Sequence, residues 1–252
     1  MSFVPVVEIF KSVQGEGCLL GSMAQFVRFA GCNLECEWCD TKYAWHFEDG
    51  EPKAQTNLLA HGLASEAVRC GIRHVVFTGG EPLLWGDRIV EVIDYMRRED
   101  EPVDYFFTVE TSGVLTPIPG LRDKIHLWSV CPKLENAGIE YPWWKFEQTI
   151  KEMRSFLRSR NRIQFKLVVT KWSDLRGQGF KNFVRMTAPL GRTRLILQPE
   201  GSIWDSGNPL PYLQLMDDLV SGVAKTPKLG RRFDVHVLPQ LHRMIWNGER
   251  RK

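Results

Sequence analysis

At 252 residues, 43% hydrophobic and 25% charged, with nine Trp and fourteen Phe to fill an interior, the chain has the composition of a globular protein with one large domain, and disorder is not expected. Its formal net charge of +3 is dispersed apart from "KLGRR" (228–232) and the terminal "ERRK", which argues against nucleic-acid binding. No stretch approaches the ~20 apolar residues of a membrane span, and "MSFVPVVEIF" lacks the basic and apolar regions of a secretory leader, so a cytoplasmic protein without membrane contact is expected.

Along the chain, β-branched and aromatic runs predict a first strand at 24–30 ("AQFVRFA"). A stretch with Gly, Pro and charge from Glu48 to Asn57 reads as a loop before a helix from Leu58 to Arg69. Then come a strand at 74–79, a helix from Asp87 to Arg98, strands at 105–111 and 125–131, and a helix from Trp144 to Arg158. A strand at 163–170, a helix from Leu175 to Ala188, a strand at 194–200 and a helix from Tyr212 to Val223 follow, with "GSIWDSGNPLP" (201–211) read as an insertion. Six strands alternating with helices imply an α/β fold whose parallel sheet is rolled into a barrel or part of one, with residues 1–252 as one domain.

Polar residues end several of these runs: "TGGEP" (78–82), "ETSG" (110–113), "CPK" (131–133) and "QPEG" (198–201). In a barrel of this type the C-terminal strand tips share one face, and that face carries the active site. Each fragment alone also reads as an ordinary turn.

Six cysteines are too unevenly placed for a secreted disulfide framework, because Cys32, Cys36 and Cys39 crowd one loop of "GCNLECEWCDT" (31–41). Three soft ligands suit a cubane iron-sulfur cluster with one iron left open, and chemistry at a metal needs such a position. The spacing does not exclude structural zinc, with His46 or Cys18 as the fourth ligand. Cys18, Cys70 and Cys131 are scattered and read as small, partly buried apolar residues.

"CNLECEWC" resembles the signature loop of the radical S-adenosylmethionine (SAM) superfamily, and "TGGEP" resembles its glycine-rich SAM-binding strand end. The resemblance implies a partial (β/α)6 TIM-like barrel, a cluster loop at 31–41 carrying a 4Fe-4S cluster on Cys32, Cys36 and Cys39, and SAM on the open iron. "SVQGEG" (12–17), Arg28, "CDT" (39–41), "TGGEP", "ETSG" and "QLH" (240–242), in this order, resemble the 7-carboxy-7-deazaguanine synthase family. That family's reaction is a lyase-type ring contraction of 6-carboxy-5,6,7,8-tetrahydropterin with loss of ammonia, on the way to queuosine and other 7-deazapurines.

Carried over residue by residue, the resemblance assigns Val13, Gln14, Gly15, Glu16, Arg28, Thr78 and His242 to the pterin, with Arg28 pairing to its carboxylate through a fork of donors that lysine cannot reproduce. Thr41 becomes a Mg²⁺ ligand, an oxygen donor beside the substrate carboxylate. Trp38, Cys39, Asp40, Gly79, Gly80 and Glu81 fall to SAM, the two glycines by letting the backbone approach its methionine end. Glu110, Ser112, Cys131, Pro132, Lys133, Lys166, Gln198 and Glu200 complete that set from other strands, with Lys166 reaching SAM from inside the barrel or facing outward. The family commonly has Ser where this chain has Cys131. A homodimer, an external electron donor and a C-terminal capping segment from about 233 to 252 are also implied. Two competing readings are an activating enzyme that installs a glycyl radical on a partner protein, and a zinc-stabilised binding module without catalysis.

Overall fold

The structure is a computed structural model that describes residues 4–46, 56–58, 60–100, 102–157 and 162–247. In chain order the elements are β1 (Val4–Val13), β2 (Met23–Phe29), β3 (Thr56–Leu58), α1 (Ala60–Cys70), β4 (His74–Gly79), α2 (Gly86–Glu99), β5 (Phe106–Thr111), α3 (Pro119–Arg122) and β6 (Leu127–Val130). They continue with α4 (Trp143–Phe156), β7 (Ile163–Val169), α5 (Gln178–Thr187), β8 (Thr193–Pro199), α6 (Leu210–Ala224), α7 (Pro227–Arg232), β9 (Phe233–Val237) and α8 (Leu241–Trp246). Of the expected loop at Glu48 to Asn57, 48–55 lie outside the described residues, and 56–57 belong to β3. Among the described residues no helix is long and apolar enough to cross a membrane.

All six expected strands and five expected helices are present, but the sheet has nine strands in the order β3-β1-β2-β4-β5-β6-β7-β8-β9. The three additional strands lie at its edges. β1 and β3 run antiparallel, β1 carries Pro5, Glu8, Lys11 and Ser12 among its apolar residues, and β3 is three residues long. β9 alternates polar and apolar residues in "FDVHV". Edge and one-sided strands lack the continuous apolar run that marks a buried parallel strand.

From β2 onward each parallel strand is laid beside its predecessor, always on the same side. Right-handed crossovers then put the connecting helices on one face, and the sheet curls away from them into part of a barrel. The outer face is apolar: Phe29, Phe77, Phe107, Trp128, Phe165 and Leu197 pack with helix residues including Leu63, Ile93, Phe146 and Phe183 in one core.

The inner face differs from the apolar filling of a closed barrel. The sheet register sets Glu8 beside Arg28, Arg28 beside Thr78, Glu110 beside Ser129, Ser129 beside Gln164, Gln164 beside Arg194 and Arg194 beside Asp234. Thr78 completes the row by donating to Glu110 at 2.9 Å. One lateral layer of the concave surface is therefore polar across eight strands.

The connection after β1 crosses this surface to reach β7. Gln164 accepts the Cys18 backbone N–H at 2.8 Å, and a Cβ on Gly17, whose φ is +72°, would sit 2.3 Å from the Gln164 amide nitrogen. The Leu241 N–H donates to the Gly15 carbonyl at 2.9 Å, so the start of α8 closes onto the same connection.

At the opposite end of the strands, His74 shares a 2.9 Å hydrogen bond with Thr108, and burial pushes its pKa down to about 4. The unfolded chain binds this proton near pH 6.5, so stability is lost as pH falls from 6.5 towards 4. Urea midpoints measured between pH 7.5 and 5 are expected to fall, and to fall less in His74→Phe.

Candidate active site

The cluster loop is seated by backbone contacts from three directions. Gly31, with φ +90°, donates to the Ala44 carbonyl at 2.8 Å, and its own carbonyl accepts the Glu81 N–H at 2.9 Å. Glu37 donates to the Ala137 carbonyl at 2.9 Å, and Cys39 to the Cys36 carbonyl at 3.2 Å. The β4 tip lies so close that a Cβ on Gly80 would stand 2.1 Å from the Gly31 oxygen and 2.8 Å from Cys32 Cβ, and one on Gly79 would stand 2.3 Å from the Phe29 oxygen. The two glycines are thus required by the protein's own packing, a reason additional to the expected approach of a ligand.

Glu81 anchors this tip to the next one. Its buried carboxylate accepts Thr111 Oγ1 at 2.7 Å, the Ser112 N–H at 2.9 Å and Ser112 Oγ at 2.6 Å, and the Leu83 N–H at 3.2 Å. The structure therefore places Glu81 behind the site wall.

Cys32, Cys36 and Cys39 line one cavity of about 290 Å³ at the rim of the inner face. Burial pushes the Cys32 thiol up to about 11 and raises that of Cys36, so these thiols ionise only where a cation compensates. Yet among the described residues no three His, Cys, Asp or Glu side chains converge closely enough to hold a single metal ion. Three free thiols lining one cavity fit the three protein-bound irons of a cubane cluster. Neither fourth zinc ligand expected from the sequence lines the cavity: the Cys18 N–H bonds Gln164, and exposed His46 packs against Trp45.

Around the thiols, Trp45 Nε1 donates to Cys39 Sγ at 3.2 Å, and Thr41 Oγ1 lies 3.6 Å from the same sulfur. Thr41 precedes the turn Lys42–Ala44, and its side chain makes no capping bond to it. Lys133 Nζ donates to Cys131 Sγ at 3.3 Å and stands 5.1 Å over the Trp38 ring. Burial opposes the charge on Lys133, but the neighbouring sulfurs of Cys131 and Cys36 outweigh it and raise its pKa.

Deeper in, Arg28 Nε donates to Glu8 at 2.7 Å, Tyr43 donates to the same carboxylate at 2.7 Å, and the guanidinium lies 5.5 Å over the Phe10 ring. Gln14 donates to Glu110 at 3.2 Å beside Thr78. Glu16 is a hub: Lys166 pairs with one oxygen, while the other accepts Gln198 at 2.8 Å and Gln240 at 2.6 Å. Burial alone would raise the Glu16 pKa, but the charge of Lys166, then that of His242, with hydrogen bonds from Lys166 and Gln240, holds it well below the carboxylate range. His242 itself covers Gly15, where a Cβ would meet its ring nitrogen at 2.1 Å.

The cavity wall thus gathers nearly every residue singled out in the sequence, from Val13, Gln14, Gly15 and Glu16 through Asp40, Gly79 and Ser112 to Glu200 and His242. Glu81, Pro132 and Gln198 are the exceptions, and Gln198 reaches the site through Glu16. Lys166 points into the barrel, where its partner is Glu16. The sequence reading missed Glu8, Tyr43, Trp45, Arg243 and Trp246, all of which line the cavity, and assigned no role to Gln240 within "QLH". Only alternation within the unrecognised strand β1 would have pointed to Glu8.

A three-thiolate loop at the C-terminal rim of a curled parallel sheet defines a class. The family model described as the Radical SAM superfamily matches residues 26–193, and the chain belongs to that superfamily. Within it the chain belongs to the 7-carboxy-7-deazaguanine synthase family. Proteins of that name from Pyrobaculum aerophilum and Hyperthermus butylicus are 36% and 31% identical over 99% and 95% of this chain, and over 97% and 92% of their own. The crystal structure of QueE from Escherichia coli superposes with a TM-score of 0.59 over 93% of this chain and 94% of its own, at 23% identity. The peptide-bound anSMEcpe structure with AdoMet gives 0.53 over 82% and 60%, at 15% identity. Both show likeness of fold.

Two substitutions test the packing. Glu16→Ala leaves Lys166 buried without its counter-charge and is expected to cost about 3–5 kcal/mol in denaturant unfolding. Gly80→Ala is expected to cost about 1–3 kcal/mol and to lower the iron content after reconstitution, because the added methyl displaces Gly31 and Cys32.

Proposed function

We propose that the chain converts 6-carboxy-5,6,7,8-tetrahydropterin into 7-carboxy-7-deazaguanine with release of ammonia, as membership of the 7-carboxy-7-deazaguanine synthase family implies. The observation that carries this reading is that the three thiols and the Glu8, Arg28, Thr78 and Glu110 part of the polar inner row share one cavity. A cavity of about 290 Å³ suits small molecules, and near-full-length likeness to 7-carboxy-7-deazaguanine synthases favours this reading over the glycyl-radical activating one.

Cys32, Cys36 and Cys39 would hold the 4Fe-4S cluster, with SAM beside it. Together they supply the radical chemistry that removes a hydrogen atom from the substrate. The chain's own residues bind and orient. Arg28, steadied by Glu8 through Nε, offers its remaining nitrogens to the substrate carboxylate. Gln14, Thr78 and Glu110 form a hydrogen-bonded wall for the polar edge of the pterin. Lys133, a half-buried ammonium beside Trp38, would pair with the carboxylate of SAM. His242 and the start of α8, tied to Gly15, exclude water from above.

The Thr41 hydroxyl, free of capping duty, is a hard oxygen donor suited to Mg²⁺ together with the substrate carboxylate. The family resemblance further supports a homodimer in the cytoplasm fed by an external electron donor. The proposed cap from about 233 to 252 begins with β9 and α8; 248–252 lie outside the described residues.

Anaerobic incubation of reconstituted protein with carboxytetrahydropterin, SAM, Mg²⁺ and a reductant should yield the deazapurine, followed by its absorbance. Accumulation of deoxyadenosine alone would sink the substrate assignment. Arg28→Lys keeps the charge but loses the fork, and kcat/KM is expected to fall about 10- to 100-fold, mainly through KM, for one or two charge-assisted hydrogen bonds.

A further inference from the structure

We infer that Trp45 sets the reduction potential of the iron-sulfur cluster by hydrogen-bonding the sulfur of Cys39. This rests on the reading that Cys39 is a cluster ligand. Indole nitrogen is a donor only, and Trp45 Nε1 lies 3.2 Å from Cys39 Sγ. The backbone holds it there. Ala44 is fully buried against Val7 and Ala30, its carbonyl receives the Gly31 N–H at 2.8 Å, and the Trp45 N–H closes the turn onto Lys42 at 3.0 Å. The indole is thereby fixed to the loop that carries the thiols.

The placement is selective. Trp38 lies in the same cavity wall, and its indole N–H has no partner among the described residues. The ammonium of Lys133 is directed to Cys131, outside the three-cysteine set. Cys39 receives the indole N–H and has the Thr41 hydroxyl at 3.6 Å, whereas the hydrogen bonds at Cys32 and Cys36 come from the backbone N–H groups of Leu34 and Cys36, so the indole is a side-chain donor directed to one particular sulfur.

Reduction adds negative charge that is shared with the ligand sulfurs. A donor aimed at such a sulfur stabilises the reduced state more than the oxidised state, so it raises the potential. In a partly dry cavity this effect is larger than at the surface. Trp45 therefore makes the cluster easier to reduce.

The test is an EPR-monitored redox titration of reconstituted full-length protein without SAM, comparing wild type, Trp45→Phe and Trp38→Phe, with iron and sulfide quantified in each. Trp45→Phe keeps the ring and loses the N–H. Its midpoint should move to a more negative potential at unchanged iron content, while that of Trp38→Phe stays. An unmoved Trp45→Phe midpoint, or equal shifts in both variants, overturns the inference. A wild type that takes up no iron and sulfide would instead refute the cluster reading. If Trp45→Phe cannot hold a cluster, Trp38→Phe/Trp246→Phe protein, which removes the other two indoles of the cavity wall, is labelled with ¹⁵N-indole tryptophan and examined by pulsed EPR. A nitrogen coupling to the reduced cluster is then expected, and its absence overturns the inference.

Discussion

The buried pair of Glu16 and Lys166 is the interaction on which the rest of the architecture turns. A partial barrel leaves its first and last strands unpaired with one another, so something other than a β-ladder must join them. Glu16, on the connection after β1, takes Lys166 from β7, Gln198 from β8 and Gln240 from the segment before α8. A carboxylate can accept from all three because its two oxygens offer about four lone-pair sites. The cost of removing both charges from water is offset only while these partners stay in place. A local loosening of any one element therefore weakens the others.

The sheet assigns opposite tasks to its two faces. Outside, aromatic and aliphatic side chains bury area against the helices and supply the favourable free energy of folding. Inside, a polar row is satisfied laterally, strand to strand, by contacts such as Arg28 with Glu8 and Gln164 with Ser129. This arrangement holds charged and amide groups at fixed positions before any ligand arrives, the preorganisation that electrostatic catalysis requires. The strand tips add a second constraint: Glu81 ties β4 to β5 from behind, leaving the front of the same tips to the cavity.

Much of this was legible in the sequence, for reasons that differ by element. The six central strands are legible because apolar residues, many of them β-branched or aromatic, dominate each of them, even where one or two inward-facing positions are polar. β1 and β9 are not legible because they lie at or next to the sheet edges and mix polar residues, among them exposed Lys11 and half-exposed Asp234 and His236, with their apolar ones. The three cysteines and "TGGEP" carried the class, since their spacing is demanded by chemistry. Which lysine faces which acid could not be read: Lys166 and Glu16 are 150 positions apart. Nor could the packing duty of Gly79 and Gly80, because a close approach between the β4 tip and the loop after β2 appears only once the two strands lie side by side.

The tie between Glu16 and Gln240 joins positions separated by 224 residues. Loops that long close late, after local helices and neighbouring strands have formed. During synthesis the thiols of the nascent chain are thus made long before the segment that seals the chamber around them. An oxygen-sensitive centre assembled in that interval would face solvent, so maturation is best timed to follow completion of the polypeptide.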